Sequence, residues 1–309
     1  MKKFIIKICL FLFPAFFLAV LIETGLRKIP NDYLVKRNYL DAHSNEIETL
    51  ILGTSHNFYG LDAVYFTGKA FNAAYLTQSL DYDYAIIKKY ENKFASLKTV
   101  VLDISYFSLY SRLETSFWIK NYVIYYGMTN TGGRSVNNYF EILNGNGFRS
   151  CSRLYRFYVR KIIPLRCTDL GWGKDYKYIN RRNLVTSGKQ AAKRHARDIN
   201  LEKNKMNFEK NYTTLQSIID WAKQKNIQLV LLTAPAFKTY REALDTGQLN
   251  STTKAVNELV AKNKNCSYFN LLNDTTFTEP DFFDGDHLDE TGAKKLSVFI
   301  NEKIKTGRH

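Results

Sequence analysis

Short, unbroken apolar runs alternate with segments of helical period along most of the chain, and this alternation limits the folds open to it. The runs are 50–52, 99–103, 227–233 and 267–271, with 71–74 ending a shorter one. Between them, 81–96 reads as a helix with Tyr82, Ile86, Ile87 and Tyr90 on one face. Residues 208–225 read likewise, with Leu215, Ile218, Ile219 and Ala222 aligned, and a further helix covers 250–263. A last helix starts at Asp289, a suitable N-cap, and turns Ala293, Leu296, Phe299, Ile300 and Ile304 inward. Continuously apolar strands that alternate with helices predict an α/β fold, a parallel sheet with helices on both faces. Ligands of such sheets bind at the carboxyl ends of strands. Ser55, Asp103 and Thr233 fall at such ends.

The amino end has a different character. Met1-Lys2-Lys3 precedes an apolar stretch from Phe4 to Ile22, 19 residues interrupted by Lys7. That is close to the ~20 residues needed to cross a bilayer. Pro14 is tolerable in a membrane helix, and Lys7 can snorkel. No small-residue cleavage site follows the apolar core, so residues 1–26 read first as an uncleaved signal anchor and second as a cleaved signal peptide. Lysines and arginines flank both sides, so their number does not fix the orientation. The Lys pair and the apolar span predict a cytoplasmic amino end and a single-pass protein whose domain is extracytoplasmic. Residues 27–46 form a polar juxtamembrane connector, and 47–309 the folded domain.

Residues 110–205 break the alternation and read as an insertion or cap between two strands. They carry Gly132-Gly133, Asn144-Gly145-Asn146-Gly147 and a basic stretch from 149 to 197, with Tyr155, Phe157, Tyr158, Trp172, Tyr176 and Tyr178 interleaved. The whole chain has a formal charge of +15 and a pI near 9.5, which favours anionic partners. The stretch is either a solvated basic face or a surface for anionic glycan or lipid headgroups. No nucleic-acid module is recognisable, and none is expected as a partner. Of the four cysteines, Cys9 lies in the apolar stretch. Cys151 and Cys167 are able to pair in an oxidising compartment, and no metal spacing is present.

Two short segments carry the chemistry. Gly53-Thr54-Ser55-His56 follows the first strand, and Asp284-Gly285-Asp286-His287 precedes the last helix. A serine hydroxyl is a weak nucleophile until a base takes its proton, and the base works best when a carboxylate fixes its tautomer. His287 is the better base, because Asp281, Asp284, Asp286 and Asp289 surround it in sequence. Asp284, three residues back, can fold under the ring, whereas Asp286 is adjacent and is expected to point elsewhere. His56 is adjacent to Ser55, so its side chain is expected to diverge and to line or support the site. The bland alternatives are a capping serine and a loop histidine. A metal site in the Asp-rich loop lacks EF-hand spacing and a terminal Glu.

Together these segments resemble the first and last blocks of the SGNH (GDSL-type) hydrolase superfamily. The run 281–288 followed by Thr291-Gly292-Ala293 is similar to the membrane-anchored branch that includes the DltD-like proteins. The resemblance runs from about residue 46 to the end, apart from the insertion. It implies a three-layer flavodoxin-like fold with Ser55 as nucleophile, His287 as base and Asp284 as orienting carboxylate. Its oxyanion hole would use Ser55, Thr77 and Ser105. Thr77 stands where the family has a glycine, and Ser105 follows a strand where the family has an Asn. Losing one oxyanion donor costs about 2.7–4 kcal/mol of transition-state stabilisation. The implied chemistry is ester hydrolysis or O-acyl transfer through a serine acyl-enzyme, with no cofactor or metal. The expected partners are an anionic or acylated envelope glycan, the membrane through the amino-terminal helix, and a membrane-bound acyl-donor protein. The second reading is a catalytically inactive envelope binding or assembly protein with the same fold.

Overall fold

The computed structural model describes residues 1–129, 131 and 135–307, with the side chains of Ile5 and Cys9 left aside. Gly132-Gly133 of the insertion and Cys9's side chain thus lie outside the described residues. In chain order the elements are α1 (Lys2–Arg27), α2 (Asp32–His43), β1 (Thr49–Leu52), α3 (Ser55–Gly60), β2 (Ala70–Asn72), α4 (Leu80–Tyr90), β3 (Thr99–Asp103), α5 (Ser116–Tyr126), α6 (Gly147–Leu154), α7 (Leu184–His195), α8 (Glu202–Gln224), β4 (Gln228–Thr233), α9 (Lys238–Arg241), α10 (Thr246–Ala261), β5 (Cys266–Asn270) and α11 (Glu290–Thr306). They divide into two compact units. One comprises Met1–Arg37 with Glu114–Leu165, the other Asn38–Leu113 with Arg166–His309.

The larger unit is the α/β body. Its five strands are all parallel, in the order β2-β1-β3-β4-β5. That is the flavodoxin-like order, in which the direction of winding reverses at β1 and β3. Strand side chains alternate between faces. Ile51, Val101, Val230 and Leu232 pack with Leu296, Ile300 and Ile304 of α11. On the other side α8 packs on β4 and against α4. Each fully buried Val, Leu or Ile stabilises by about 1.5–3 kcal/mol, so burial of these facing apolar surfaces holds the layers together. The last helix begins where the sequence indicates. The Asp289 Oδ1 accepts from the backbone N–H of Thr291 (2.8 Å) and Gly292 (3.0 Å).

The smaller unit gathers the end of α1 with α5, α6 and the turns between them. The Glu23 carboxylate accepts from the backbone N–H of Glu141 (3.0 Å) and Ile142 (2.9 Å), and from Arg27 Nε at 2.5 Å. Glu141, 1% exposed, is itself surrounded by Lys120 (2.7 Å), Arg153 (2.8 Å) and the Tyr125 hydroxyl (2.8 Å). Burial opposes ionisation of Glu141, but the two cations outweigh it and hold its carboxyl below the usual range. Such a buried group tolerates ionisation only when paired in this way. The earlier part of α1 exposes its apolar side chains, among them Phe11, Phe13 and Phe16. It is long and apolar enough to cross a membrane.

The insertion expected over 110–205 is shared between the units. Residues 114–165 pack with the amino end, and 166–205 with the sheet. Cys151 is exposed and Cys167 buried.

Candidate active site

The site is built at the carboxyl ends of β1 and β3, where the winding reverses. Gly53 has a φ of +120°, and a Cβ there would lie 2.4 Å from Asp103 Cβ. Only glycine lets the two strand ends approach so closely. Its N–H donates to Asp83 Oδ1 (2.8 Å), a buried carboxyl pushed up to about 8 by loss of solvent, with Gln78 and Gly53 opposing. Thr54 then caps α3. It accepts from the N–H of His56 (3.3 Å) and donates to Asp103 Oδ2 (2.5 Å). Asn57 and Asn72 brace the same turn through the carbonyls of Leu52, Asn57 and Leu61. Ser55 emerges as the first residue of α3, partly exposed while its neighbours are buried.

The loop before α11 brings His287 to it. His287 Nε2 lies 2.9 Å from Ser55 Oγ, and Nδ1 lies 3.0 Å from Asp284 Oδ1. The same Asp284 oxygen accepts from the backbone N–H of His287 (2.9 Å) and Asp286 (3.1 Å), which closes a tight turn under the ring. Asp281 is engaged elsewhere. It accepts from Thr278 N (2.8 Å) and Lys295 Nζ (3.1 Å). Asp286 does not point away as its adjacency predicts. Its Oδ1 lies 3.4 Å from His287 Nδ1, because the turn folds both carboxylates to one side of the imidazole. Asp284 takes the hydrogen bond, being nearer. Asp286, 2% exposed, exerts the larger charge effect. Burial opposes the imidazolium, but the two carboxylates outweigh it and raise His287 well above the ordinary imidazole value. In return, Asp286 is held well below the ordinary carboxylate value against the cost of its burial, by His287 and His56.

His56 belongs to the same cluster, although it follows Ser55 directly. Its ring lies 5.0 Å from that of His287, and its Nδ1 2.5 Å from Ser105 Oγ. Ser105 donates its one proton to Asp103, whose two oxygens are each at 2.8 Å. His56 must therefore carry a proton on Nδ1 and donate it to Ser105. Its Nε2 faces Asp286 Oδ2 at 3.6 Å, beyond hydrogen-bond reach. The Ser105 hydroxyl is thus engaged by Asp103 and His56. Thr77, the other residue suggested for the oxyanion hole, is exposed with a φ of +58°. This left-handed conformation suits glycine and costs a β-branched residue about 1–3 kcal/mol.

Several site residues carry no mark in the sequence. α7 ends on Arg194 and His195, which lie 3.6 and 3.9 Å from Asp286 Oδ2. Burial pushes His195 down to about 3, so it is neutral, and its Nδ1 shares a proton with the Tyr240 hydroxyl (2.9 Å). Gly188 of α7 lies beneath the His287 loop. A Cβ on Gly285 would meet Gly188 Cα at 2.1 Å, and Ser187 Oγ accepts from Gly285 N (2.9 Å). Tyr59, Tyr176 and Phe283 form a continuous stack with centroid spacings of 3.6 and 3.9 Å, and both tyrosine rings stand nearly perpendicular to the His287 ring. The reading of 110–205 as an insertion places no helix over 184–195, and nothing in Lys193-Arg194-His195 distinguishes the end of α7 from a solvated basic one.

His56, Asp286 and His287 each offer a ligand atom, and these lie within 4.8 Å of one another. A metal there would compete with Ser55 or Asp284 for His287.

No family model and no curated protein matches the chain by sequence. Among solved structures it is similar to a protein provisionally named a platelet activating factor, from Streptococcus pneumonia. The identity is 11% and the TM-score 0.43, over 96% of this chain and 99% of that one. It is also similar to a protein provisionally named an acylhydrolase, from Bacteroides fragilis. There the identity is 11% and the TM-score 0.41, over 88% of this chain and 97% of that one. The chemistry of the site rests on this chain's own geometry.

Proposed function

We propose that this protein is a serine esterase or O-acyltransferase of the SGNH type. Ser55 Oγ would give its proton to His287 Nε2 as it attacks an acyl carbonyl. The imidazolium would return that proton to the leaving oxygen, leaving an acyl-enzyme that water or a sugar hydroxyl then resolves. Asp284 would hold the ring in the required tautomer and stabilise its charged form. The single observation that carries the reading is the unbroken line from Ser55 Oγ through His287 to Asp284, with contacts of 2.9 and 3.0 Å. Our reading of the setting is a membrane-anchored extracytoplasmic protein of the branch that includes the DltD-like proteins, acting on an anionic or acylated envelope glycan. The acyl donor would come from a membrane-bound partner protein. The support is the exposed apolar length of α1 and the excess of basic residues.

The test is turnover of the full chain on short-chain acyl esters and on O-acetylated acidic polysaccharide. Acyl release that depends on Ser55 is the expected result. Transfer to an added sugar, exceeding hydrolysis, would identify a transferase. A second reading has a specific observation behind it. With Ser105 engaged by Asp103 and His56, and a threonine at position 77, the oxyanion donors of the family pattern are incomplete. A protein that binds glycan with Ser55 intact and releases no acyl group would fit that non-catalytic reading.

A further inference from the structure

The segment that follows Asn146 has its polarity reversed for a surface helix of a soluble protein. Asn146 caps α6 by accepting from Arg149 N (2.8 Å), and a π-helical turn over Tyr155–Val159 continues it. Phe148, Cys151, Tyr155 and Val159 recur at helical spacing along one side, and Ile162 and Ile163 extend the line. All six are exposed, Phe148 by 83%, Val159 by 62% and Ile163 by 57%. The opposite side is the occupied one. Ser150 is buried, Arg153 reaches Glu141, and Leu154 lies against Gly25. Contiguous exposed apolar surface marks a binding face.

Three observations say what covers it. The helix is attached to the last turns of α1. The Tyr158 hydroxyl donates to the Gly25 carbonyl (3.2 Å), and Glu23 fastens the same turn of α1 to residues 141 and 142. In the turns before Gly25, α1 leaves Phe16, Phe17, Leu18 and Leu21 uncovered, so the two apolar surfaces meet at one end of α1. The flanks of the stripe are cationic. Arg149, Arg156, Arg160 and Lys161 are exposed, and no acidic residue occurs from 147 to 163. An apolar stripe of aromatic and aliphatic residues bordered by arginines is the pattern of a helix lying in the headgroup layer.

We infer that residues 147–163 form a second membrane contact, lying in the interface of an anionic bilayer beside the end of α1. This rests on the reading of α1 as the membrane helix. Apolar side chains enter the acyl boundary, tyrosines sit at headgroup level, and the arginines pair with lipid phosphates. The anchor is then held at two places.

The experiment uses the full chain, its native cysteines replaced, in nanodiscs containing phosphatidylglycerol. Nitroxides are attached one at a time through Phe148→Cys, Val159→Cys, Ile163→Cys, Leu12→Cys in α1 and Val64→Cys, an exposed position in the larger unit. Collision with oxygen is compared with collision with a water-soluble nickel chelate. The expected oxygen-to-nickel ratio is several-fold higher at 148, 159 and 163 than at 64. A high ratio at 12 with aqueous values at all three positions overturns this inference and leaves the anchor reading intact. Aqueous values at 12 as well overturn both. Shielding from the chelate on adding acidic polysaccharide, without a high oxygen ratio in lipid, would identify a glycan surface and reject the bilayer. Where the cysteine changes unfold the chain, hydrogen exchange of unmodified protein serves. Protection of 147–163 in anionic over zwitterionic nanodiscs is expected, and equal exchange in the two rejects the contact.

Discussion

The two halves of the basic stretch at 149–197 look alike in sequence and do unlike things in the fold. Both are rich in arginine, lysine and tyrosine, and neither carries a catalytic motif. In the first half, α6 and the turn after it present their apolar side outward and pack with the end of α1. In the second half, α7 presents its small residues inward. Gly188 seats the loop of His287, and Arg194 and His195 reach Asp286. Composition describes the charge of both halves equally well. What separates them is the neighbour each was built to meet, and only the positions of Gly188 and Gly25 record it.

The difference can be attacked from the side of the active site first. His287→Ala or Ser55→Ala should lower acyl-ester turnover by about 10⁴–10⁶-fold, because the members of such a unit fail together. Val159→Asp in the other half should leave turnover of a soluble ester unchanged and weaken only membrane retention. Equal losses in the two would erase the distinction. Next in size is Asp284→Asn, expected to cost about 10²–10⁴-fold through the wrong imidazole tautomer. Asp286→Asn should cost less and should move the pH profile instead. The base must be neutral to act, and Asp286 and Asp284 raise the imidazole value. Activity should therefore rise with pH through a limb above the ordinary histidine value, and Asp286→Asn should shift that limb downward. An unshifted limb would remove Asp286 from the site's electrostatics.

Smaller effects test the framework. Gly285→Ala must push its Cβ into Gly188 Cα, built at 2.1 Å, and should cost about 1–3 kcal/mol of stability with a loss of turnover larger than the loss of fold. A silent variant would mean that α7 does not seat the loop. The smallest change has the opposite sign. Thr77→Gly should raise stability by about 1 kcal/mol in denaturant unfolding by relieving the left-handed conformation, less any entropy gained by the unfolded chain. Destabilisation would show that the Thr77 side chain, which donates to the Leu76 carbonyl (2.6 Å), contributes more than the strain costs.

The sheet was legible because its strands are continuously apolar and its helices keep their period. β3 occupies the residues expected of it, and α11 starts at its Asp289 cap. The proximity of Ser55, His287 and Asp284 was legible because the three follow strand-end and helix-start signals. Asp286 was misjudged because adjacency in a tight turn does not separate side chains as it does in a strand. His56 lies in the cluster, in keeping with the site-lining or supporting place expected of it, whereas Arg194 and His195 carry signals indistinguishable from those of surface residues, since their place depends on contacts far apart in sequence. The long helix-to-helix stretch after β3 was read as one insertion because nothing local marks where its allegiance changes near Leu165.

The central claim is that His287 activates Ser55. The most direct measurement is peptide-mapped mass spectrometry of the full chain after reaction with a fluorophosphonate. The account predicts a single phosphonyl adduct on Ser55, and its loss in His287→Ala protein whose circular dichroism is unchanged. An adduct that persists without His287, that vanishes only with His56→Ala, or that lies on a residue other than Ser55 would contradict it.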